Sequence, residues 1–260
     1  MNKISVYIIA YNEAEKIKAA IKSVQWADEI IVADSYSTDD TSKIAESLGA
    51  KVIQIPFNGF GELRNKAMAA CKYNWIFSLD SDERCTAVAK EEILKITSSK
   101  TALDAYYVPR KNFFMGKWIK HSGYYPDYRQ PQLFRKETMS FLHEPVHETF
   151  KLHTEKIGYL KNPIYQIPFK DFEQIIHKAN RYSTLGAEKM LQLKKRKPSM
   201  ATAFFHGLWA FLHHFIIKAG FMDGWAGFVI AFGNFEGTFY KYAKLHERMS
   251  NWKSLNDKVG

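Results

Sequence analysis

The first hundred residues alternate short apolar runs with stretches whose apolar positions recur every three or four residues. The runs Ile4–Ala10, Glu29–Ala33, Lys51–Ile55 and Trp75–Leu79 predict four buried strands. Between them, Glu13–Val24, Asp39–Leu48 and Phe60–Cys71 predict helices, with Asn12 placed to cap the first and Gly49 closing the second. Short apolar strands between helices predict an α/β domain with a mostly parallel sheet covered on both faces. In such sheets ligands bind beyond the carboxyl ends of the strands. Asn12-Glu13, Asp34-Ser35 and Asp80-Ser81-Asp82 all fall at those ends.

Beyond residue 100 the period changes. Asp104–Pro109 and Gln132–Arg135 predict further strands, joined by an aromatic and basic loop, Arg110–Trp118. From about Phe169 the chain reads as helical to its end, which sets a boundary between residues 1–165 and a helical region, 166–260. In the stretch Met200–Ile217 a helical wheel gathers Phe204, Phe205, Leu208, Trp209, Phe211, Leu212, Phe215 and Ile216 on one side. His206, His213 and His214 lie on the other. No run of about 18 purely apolar residues clearly spans a bilayer. A wide apolar face beside the cluster Lys194-Lys195-Arg196-Lys197 predicts instead a helix lying in a membrane interface.

Charge sharpens that division. Residues 1–150 carry 20 Lys/Arg against 19 Asp/Glu, whereas residues 151–260 carry 17 against 8. An excess confined to the helical region points to an anionic partner there. Nucleic acid and anionic lipid both qualify. The aromatics from 204 to 235 cluster with aliphatic residues, which favours lipid over a nucleic-acid groove. The only cysteines, Cys71 and Cys85, form neither a disulfide framework nor a metal-site spacing, so a reducing compartment is expected. The N-terminus runs straight into a strand and lacks the features of a signal peptide.

Asp80-Ser81-Asp82 carries the most chemistry. Two carboxylates two residues apart at a strand end suit a hard divalent cation, which takes oxygen ligands. No G-x-G-x-x-G follows the first strand and no G-x-x-x-x-G-K-[ST] occurs, so neither a dinucleotide fingerprint nor a P-loop is present. The acidic turn Tyr11-Asn12-Glu13 also argues against a sugar nucleotidyltransferase, which needs a glycine-rich phosphate loop there.

Four motifs in order, Ile8-Ile9-Ala10-Tyr11-Asn12-Glu13, Asp34-Ser35-x-Ser37-Thr38-Asp39, Gly61-x-x-Arg64-Asn65-x-Ala67 and Leu79-Asp80-Ser81-Asp82-Glu83, resemble glycosyltransferase family two. That resemblance implies a GT-A, Rossmann-like fold with a C-terminal helical, membrane-associating appendage. Residues 1–100 then bind the nucleotide sugar and 101–165 form the acceptor side. Arg110–Trp118, Tyr124–Asp127 and His143-Glu144-Pro145-Val146-His147-Glu148 further resemble the lipopolysaccharide-core β-1,4-glucosyltransferase subgroup.

The resemblance implies an inverting hexosyltransferase that uses UDP-glucose and a lipid-linked acceptor such as the lipopolysaccharide core, assisted by Mg²⁺ or Mn²⁺. Another glycan or a polyprenol phosphate is the alternative acceptor. Donor contacts are expected at Ala10, Tyr11, Glu13, Asp34, Arg64, Asp80, Ser81 and Asp82, with Arg64 pairing to phosphate oxygens. Asp82 is the expected metal ligand, joined by His147. Inversion needs a base that takes the acceptor proton and is not bound to metal. Glu144 is expected there, with Glu148 and Asp127 behind it. Arg110, Lys111, Trp118 and Asp127 are expected on the acceptor side. The place implied is the cytoplasmic side of a bacterial inner membrane, as a peripheral or monotopic protein. Nucleic acid is not an expected partner, and a homo-oligomer is left open.

Overall fold

The structure, a computed structural model, describes residues 2–142, 149–169, 171–193 and 197–250. The chain divides into two compact units, one of residues 1–112 and 126–168, the other of residues 113–125 and 169–260.

The first unit opens with β1 (Ile4–Ala10), α1 (Ala14–Ser23), β2 (Glu29–Asp34), α2 (Thr41–Ser47), β3 (Lys51–Gln54), α3 (Phe60–Ala70) and β4 (Trp75–Asp80). These match the predicted alternation to within two residues. β5 (Glu83–Arg84) and α4 (Ala87–Ser98) follow, then β6 (Ala105–Tyr107) and β7 (Arg110–Phe114), whose last two residues enter the second unit with β8 (Lys117–Trp118). β9 (Pro131–Arg135), β10 (Met139–Phe141), β11 (Phe150–Leu152), β12 (Ile157–Tyr159) and β13 (Ile164–Gln166) complete the first unit.

Seven strands form one sheet in the order β12-β6-β9-β4-β1-β2-β3. It is parallel except at β9, which runs against both β4 and β6. The chain leaves β1 toward β2 and β3, then returns through β4 on the other side of β1. That reversal opens a crevice at the carboxyl ends of the strands. Every residue of β1 is buried, as a strand covered on both faces must be. One core packs Ile8, Ile17, Trp75, Phe77 and Ile93 on one face; the other packs Tyr7, Ile31, Ile76, Leu63 and Phe134 on the opposite face. Fully burying such an aliphatic side chain is worth about 1.5–3 kcal/mol. Cys71 and Cys85 are free and buried, and burial pushes both thiols up to about 12, so neither is a ready nucleophile.

The second unit holds α5 (Phe172–Gln192), α6 (Met200–Leu212) and α7 (Trp225–Arg248). α6 continues through a π turn, His213–Ile217, and a 3₁₀ turn, Gly220–Asp223, leads into α7. The continuation makes Met200–Ile217 a helical stretch of 18 residues, long and apolar enough to cross a membrane by length and composition. The stretch includes Thr202, Gly207 and three histidines, so it passes on mean hydropathy and not as a purely apolar run. The apolar face of α6 is divided. Phe211 and Phe215 pack on Phe228 of α7 at 5.9 and 6.0 Å between ring centres. Phe205, Trp209, Leu212 and Ile216 are exposed. His206 stacks on Tyr242 at 4.5 Å, a packing role. Residues 113–125 group with these helices because Phe114 and Ile119 bury against Ala226 and Ile230 of α7.

Candidate active site

The parallel register sets the site. Ala10 pairs with Asp34, Ile9 with Asp80 and Asp34 with Gln54, so three polar strand ends lie side by side. The two turns beyond β1 and β2 then lock together. Asn12 takes a left-handed φ of 53°, which Asn tolerates better than most residues. Its amide donates to Ser37 Oγ at 2.9 Å, and its Oδ1 accepts from Thr38 N at 2.8 Å.

Asn12 therefore braces the neighbouring loop and is not the cap of α1. The free amides at that helix start are met from across the turn. Ala14 N donates to Asp39 Oδ2 at 3.1 Å and Glu13 N to Thr41 Oγ1 at 2.8 Å. Burial is the largest single influence and works to raise the Asp39 carboxyl, but the Thr41 hydroxyl and the amides of Thr41 and Ala14 together outweigh it and lower its pKa.

Asp34 is fully buried. It accepts from the hydroxyl and amide of Ser37, from Ser42 Oγ at 2.9 Å and from Gln54 Nε2 at 2.9 Å. These bonds shape the β2–α2 turn, at the strand end where a nucleoside contact is expected of Asp34. Beside that turn Tyr11 and Tyr36 are exposed. Glu13 is half-buried, with Oε2 3.3 Å from Lys16 Nζ.

At the end of β4 the chain turns sharply through Asp80-Ser81-Asp82-Glu83. Glu83 closes the turn by accepting from Asp80 N at 3.0 Å. Its carboxylate has no exposed surface, and it also accepts from Arg110 Nε at 2.5 Å and from Gln132 Nε2 at 2.8 Å. Burial raises the Glu83 pKa, helped by Asp80 and Asp82, while Arg110 pulls the other way.

Arg110 was expected on an acceptor loop. It lies buried on β7, and Arg110–Trp118 is a hairpin turning at Met115-Gly116, both at positive φ. The alternation that buries Arg110, Asn112 and Phe114 is hidden in sequence because two of the three inward residues are polar.

Arg64 is likewise buried, and its Nη2 lies 2.9 Å from Asp80 Oδ1. Its observed contact is thus with the first carboxylate of D-x-D, where a phosphate contact had been expected. Burial is the largest single influence and works to raise the Asp80 pKa, but Arg64, Arg110 and Arg129 together outweigh it and hold the carboxyl below its usual range. Tyr7, packed beneath, has its hydroxyl pushed up to about 12 by burial, against the pull of Arg64.

Asp82 is half-buried and receives the Gln166 amide at 3.3 and 3.5 Å to its two oxygens, while its backbone oxygen accepts from Ile167 N. Ser81 is buried and its carbonyl accepts from Arg84. Asp127 pairs with Arg129 at 2.6 Å, and its carbonyl accepts from Arg110. Lys111 is half-buried on β7. Trp118 belongs to the second unit, where it meets Tyr125 edge-on. Glu144 and His147, with His143 and Glu148, lie outside the described residues.

Sequence reading missed Glu83, Gln132, Gln166 and Arg129. Glu83 had a local signal, an acid directly after D-x-D; Gln132 and Gln166 reach the site only through strand pairing, and Arg129 lies in the loop before β9. Among the described residues no three His, Cys, Asp or Glu side chains gather into a metal cage. A hard cation that keeps its waters and takes phosphate oxygens needs only one or two carboxylates. The half-buried Asp82 carboxylate meets that need.

Residues 5–151 match the family model described as glycosyl transferase family 2. The chain belongs to glycosyl transferase family 2. It is 34% identical over 256 residues to an uncharacterized glycosyltransferase of Rickettsia bellii, covering 94% of this chain and 86% of that protein. It is 26% identical to the lipopolysaccharide core biosynthesis glycosyltransferase LpsC of Rhizobium meliloti, covering 94% and 92%. Among solved structures it is 28% identical to a glucosyl-3-phosphoglycerate synthase from Mycobacterium tuberculosis, crystallised with Mn²⁺, UDP and glucosyl-3-phosphoglycerate. The overlap is partial: 44% of this chain and 45% of that one, with a TM-score of 0.36. As a family member the chain is a glycosyltransferase.

Proposed function

We propose that this glycosyltransferase moves a hexose, with inversion, from a UDP-sugar to a lipid-linked acceptor at the cytoplasmic face of the inner membrane. Glucose and the lipopolysaccharide core are the proposed sugar and acceptor. The observation that carries the reading is the turn Asp80–Glu83 beside the ends of β1 and β2, where buried Arg64 braces Asp80, buried Arg110 braces Glu83, and Asp82 is left half-buried at the crevice.

The exposed rings of Tyr11 and Tyr36 suit the faces of a nucleobase, and Glu13 suits a base or ribose donor. Asp34 acts indirectly by holding Ser37 and Gln54. Arg129, exposed and within the electrostatic reach of Asp80 and Glu83, suits the diphosphate. A divalent cation seated on Asp82 would supply Lewis-acid stabilisation of the departing diphosphate.

Glu144 is the proposed base. It takes the acceptor hydroxyl proton as that oxygen bonds to the anomeric carbon and the bond to the β-phosphate oxygen breaks. Lys111, Trp118 and Asp127 are proposed for the acceptor side. The LpsC likeness over nearly the full length supports the acceptor class, and the exposed apolar stripe of α6 supports membrane attachment.

A donor panel tests this directly. UDP release from UDP-glucose, with lipopolysaccharide core acceptor and with Mg²⁺ or Mn²⁺, is expected to exceed release from GDP-sugars. Equal release from every donor, or none, would reject it.

A further inference from the structure

The second unit holds a surface that the donor site does not use. At the tip of the α6–α7 hairpin, Ile216, Ile217, Phe221, Met222 and Trp225 are each 53–68% exposed. They follow one another along the π turn, the 3₁₀ turn and the first residue of α7. Soluble proteins seldom leave so large an apolar group bare without a partner for it.

The tip is joined to the segment 113–125 by a built contact. Asp223, only 2% exposed, accepts from the amides of Lys120 at 3.1 Å and His121 at 3.0 Å, and from Ser122 Oγ at 3.2 Å. Its carbonyl accepts from Lys117 Nζ at 2.7 Å. Ser122 N donates to Lys218 O at 2.8 Å, and the Lys218 stem lies against Gly123. Lys117, Lys120 and Lys218 are all exposed. The contacts thus set three ammonium-bearing side chains around the apolar tip, with Trp118 under Lys120 at 4.7 Å.

We infer that this clamped tip and its lysine shoulder form one anionic-lipid docking surface, with the apolar residues entering the acyl boundary and the lysines meeting headgroup phosphates. Asp223 is the positioning residue that holds the two pieces together. The occupant follows from the charge pattern: an apolar tip flanked by three exposed lysines complements an anionic leaflet, whereas a second copy of the same surface would set lysine against lysine. The inference rests on the membrane attachment proposed above and places it at the tip, with part of the acceptor-side segment included.

The test uses the full chain with two vesicle types, phosphatidylcholine alone and phosphatidylcholine with phosphatidylglycerol. Wild type is expected to float with the anionic vesicles. F221E/M222E is expected to weaken that binding at least about tenfold. K120Q/K218Q is expected to weaken it roughly 25-fold, at about fivefold per lysine, and only on anionic vesicles. Hydrogen exchange should slow on vesicles in both 115–125 and 216–225, and D223N should uncouple the two.

Wild-type binding by F221E/M222E, or protection confined to 200–212, overturns the tip alone and leaves membrane attachment standing. No binding of wild type to either vesicle overturns attachment itself. A dimer that F221E/M222E breaks, with no lipid bound, assigns the surface to a second copy and overturns the inference.

Discussion

Arg64 Nη2 and Asp80 Oδ1 lie 2.9 Å apart, joining the middle of α3 to the last residue of β4. The guanidinium is buried while the carboxylate keeps 27% of its side-chain surface. The pair fixes the first acid of D-x-D in its ionised form. Arg64→Ala leaves a partly buried carboxylate unpaired. Full burial would make that cost about 3–5 kcal/mol; with Asp80 partly solvated, a loss of about 2 kcal/mol is expected in urea unfolding. Arg64→Lys keeps the charge and loses the planar fork, so an intermediate loss is expected.

The same pair makes stability depend on acid. The Asp80 pKa is lowered in the folded state, so the folded chain binds its proton less tightly than the unfolded chain. Its contribution is complete above the ordinary value of about 3.9 and is lost as pH falls through the lower, folded value. Unfolding free energies measured from pH 6 down to pH 3 are expected to fall more steeply in wild type than in Arg64→Ala. Parallel curves would show that Asp80 gains nothing from Arg64.

Two neighbours in one turn are expected to fail in opposite ways. Asp82→Ala removes a half-buried carboxylate at the crevice, and transfer should drop by about 10²-fold or more with little change in melting temperature. Glu83→Gln takes the charge from the buried partner of Arg110, and about 3–5 kcal/mol of stability should go with it. Thermal melts beside a UDP-release assay separate the two. A stable, active Glu83→Gln would show that the Arg110 pair is dispensable.

Gly61 and Asn65 explain why the α3 motif reads Gly-x-x-Arg-Asn. A Cβ at Gly61 would come within 2.2 Å of Leu142 O, so only glycine lets α3 approach the end of β10. Asn65 clasps Phe141 from both sides, donating to its carbonyl at 2.8 Å and accepting from its amide at 2.9 Å. Gly61→Ala must shift residue 142, directly before the segment with Glu144. Turnover is expected to fall at least about tenfold while UDP affinity changes less than about threefold; isothermal titration and initial rates would show the split.

Glu144→Gln should keep donor binding and lose turnover, because the amide cannot take a proton. Normal turnover in Glu144→Gln with loss in Glu148→Gln would move the base four residues on.

β1 to β4 and their helices were legible because each strand is an apolar run and each helix an amphipathic one. The edge that carries both Asp34 and Asp80, on either side of β1, followed from parallel pairing alone. Arg110 was misread because its partner Glu83 lies 27 residues away and contact is made by strands of only two to five residues. The three-residue strands β10 to β13 are too short to show a period. The sequence pattern of α6 did show its apolar face, but not that Phe211 and Phe215 face α7 while Phe205 and Trp209 do not. That split needs the partner helix.

The hairpin tip depends on one more glycine. A Cβ at Gly227 would fall 1.8 Å from Gly220 O, so α7 can start against the 3₁₀ turn only because residue 227 has no side chain. Gly227 is buried in the first turn of α7, two residues after Trp225. Alanine suits a helix interior better than glycine by about 1 kcal/mol, so propensity alone predicts that Gly227→Ala stabilises. The backbone clash predicts the opposite: α7 and the 3₁₀ turn must separate, and Asp223, the last residue of that turn, must move away from Lys120 and His121. The expected result is a lower melting temperature and faster hydrogen exchange at the amides of residues 120–122, with UDP affinity unchanged. A raised melting temperature would mean that the close approach at Gly220 is not held in solution.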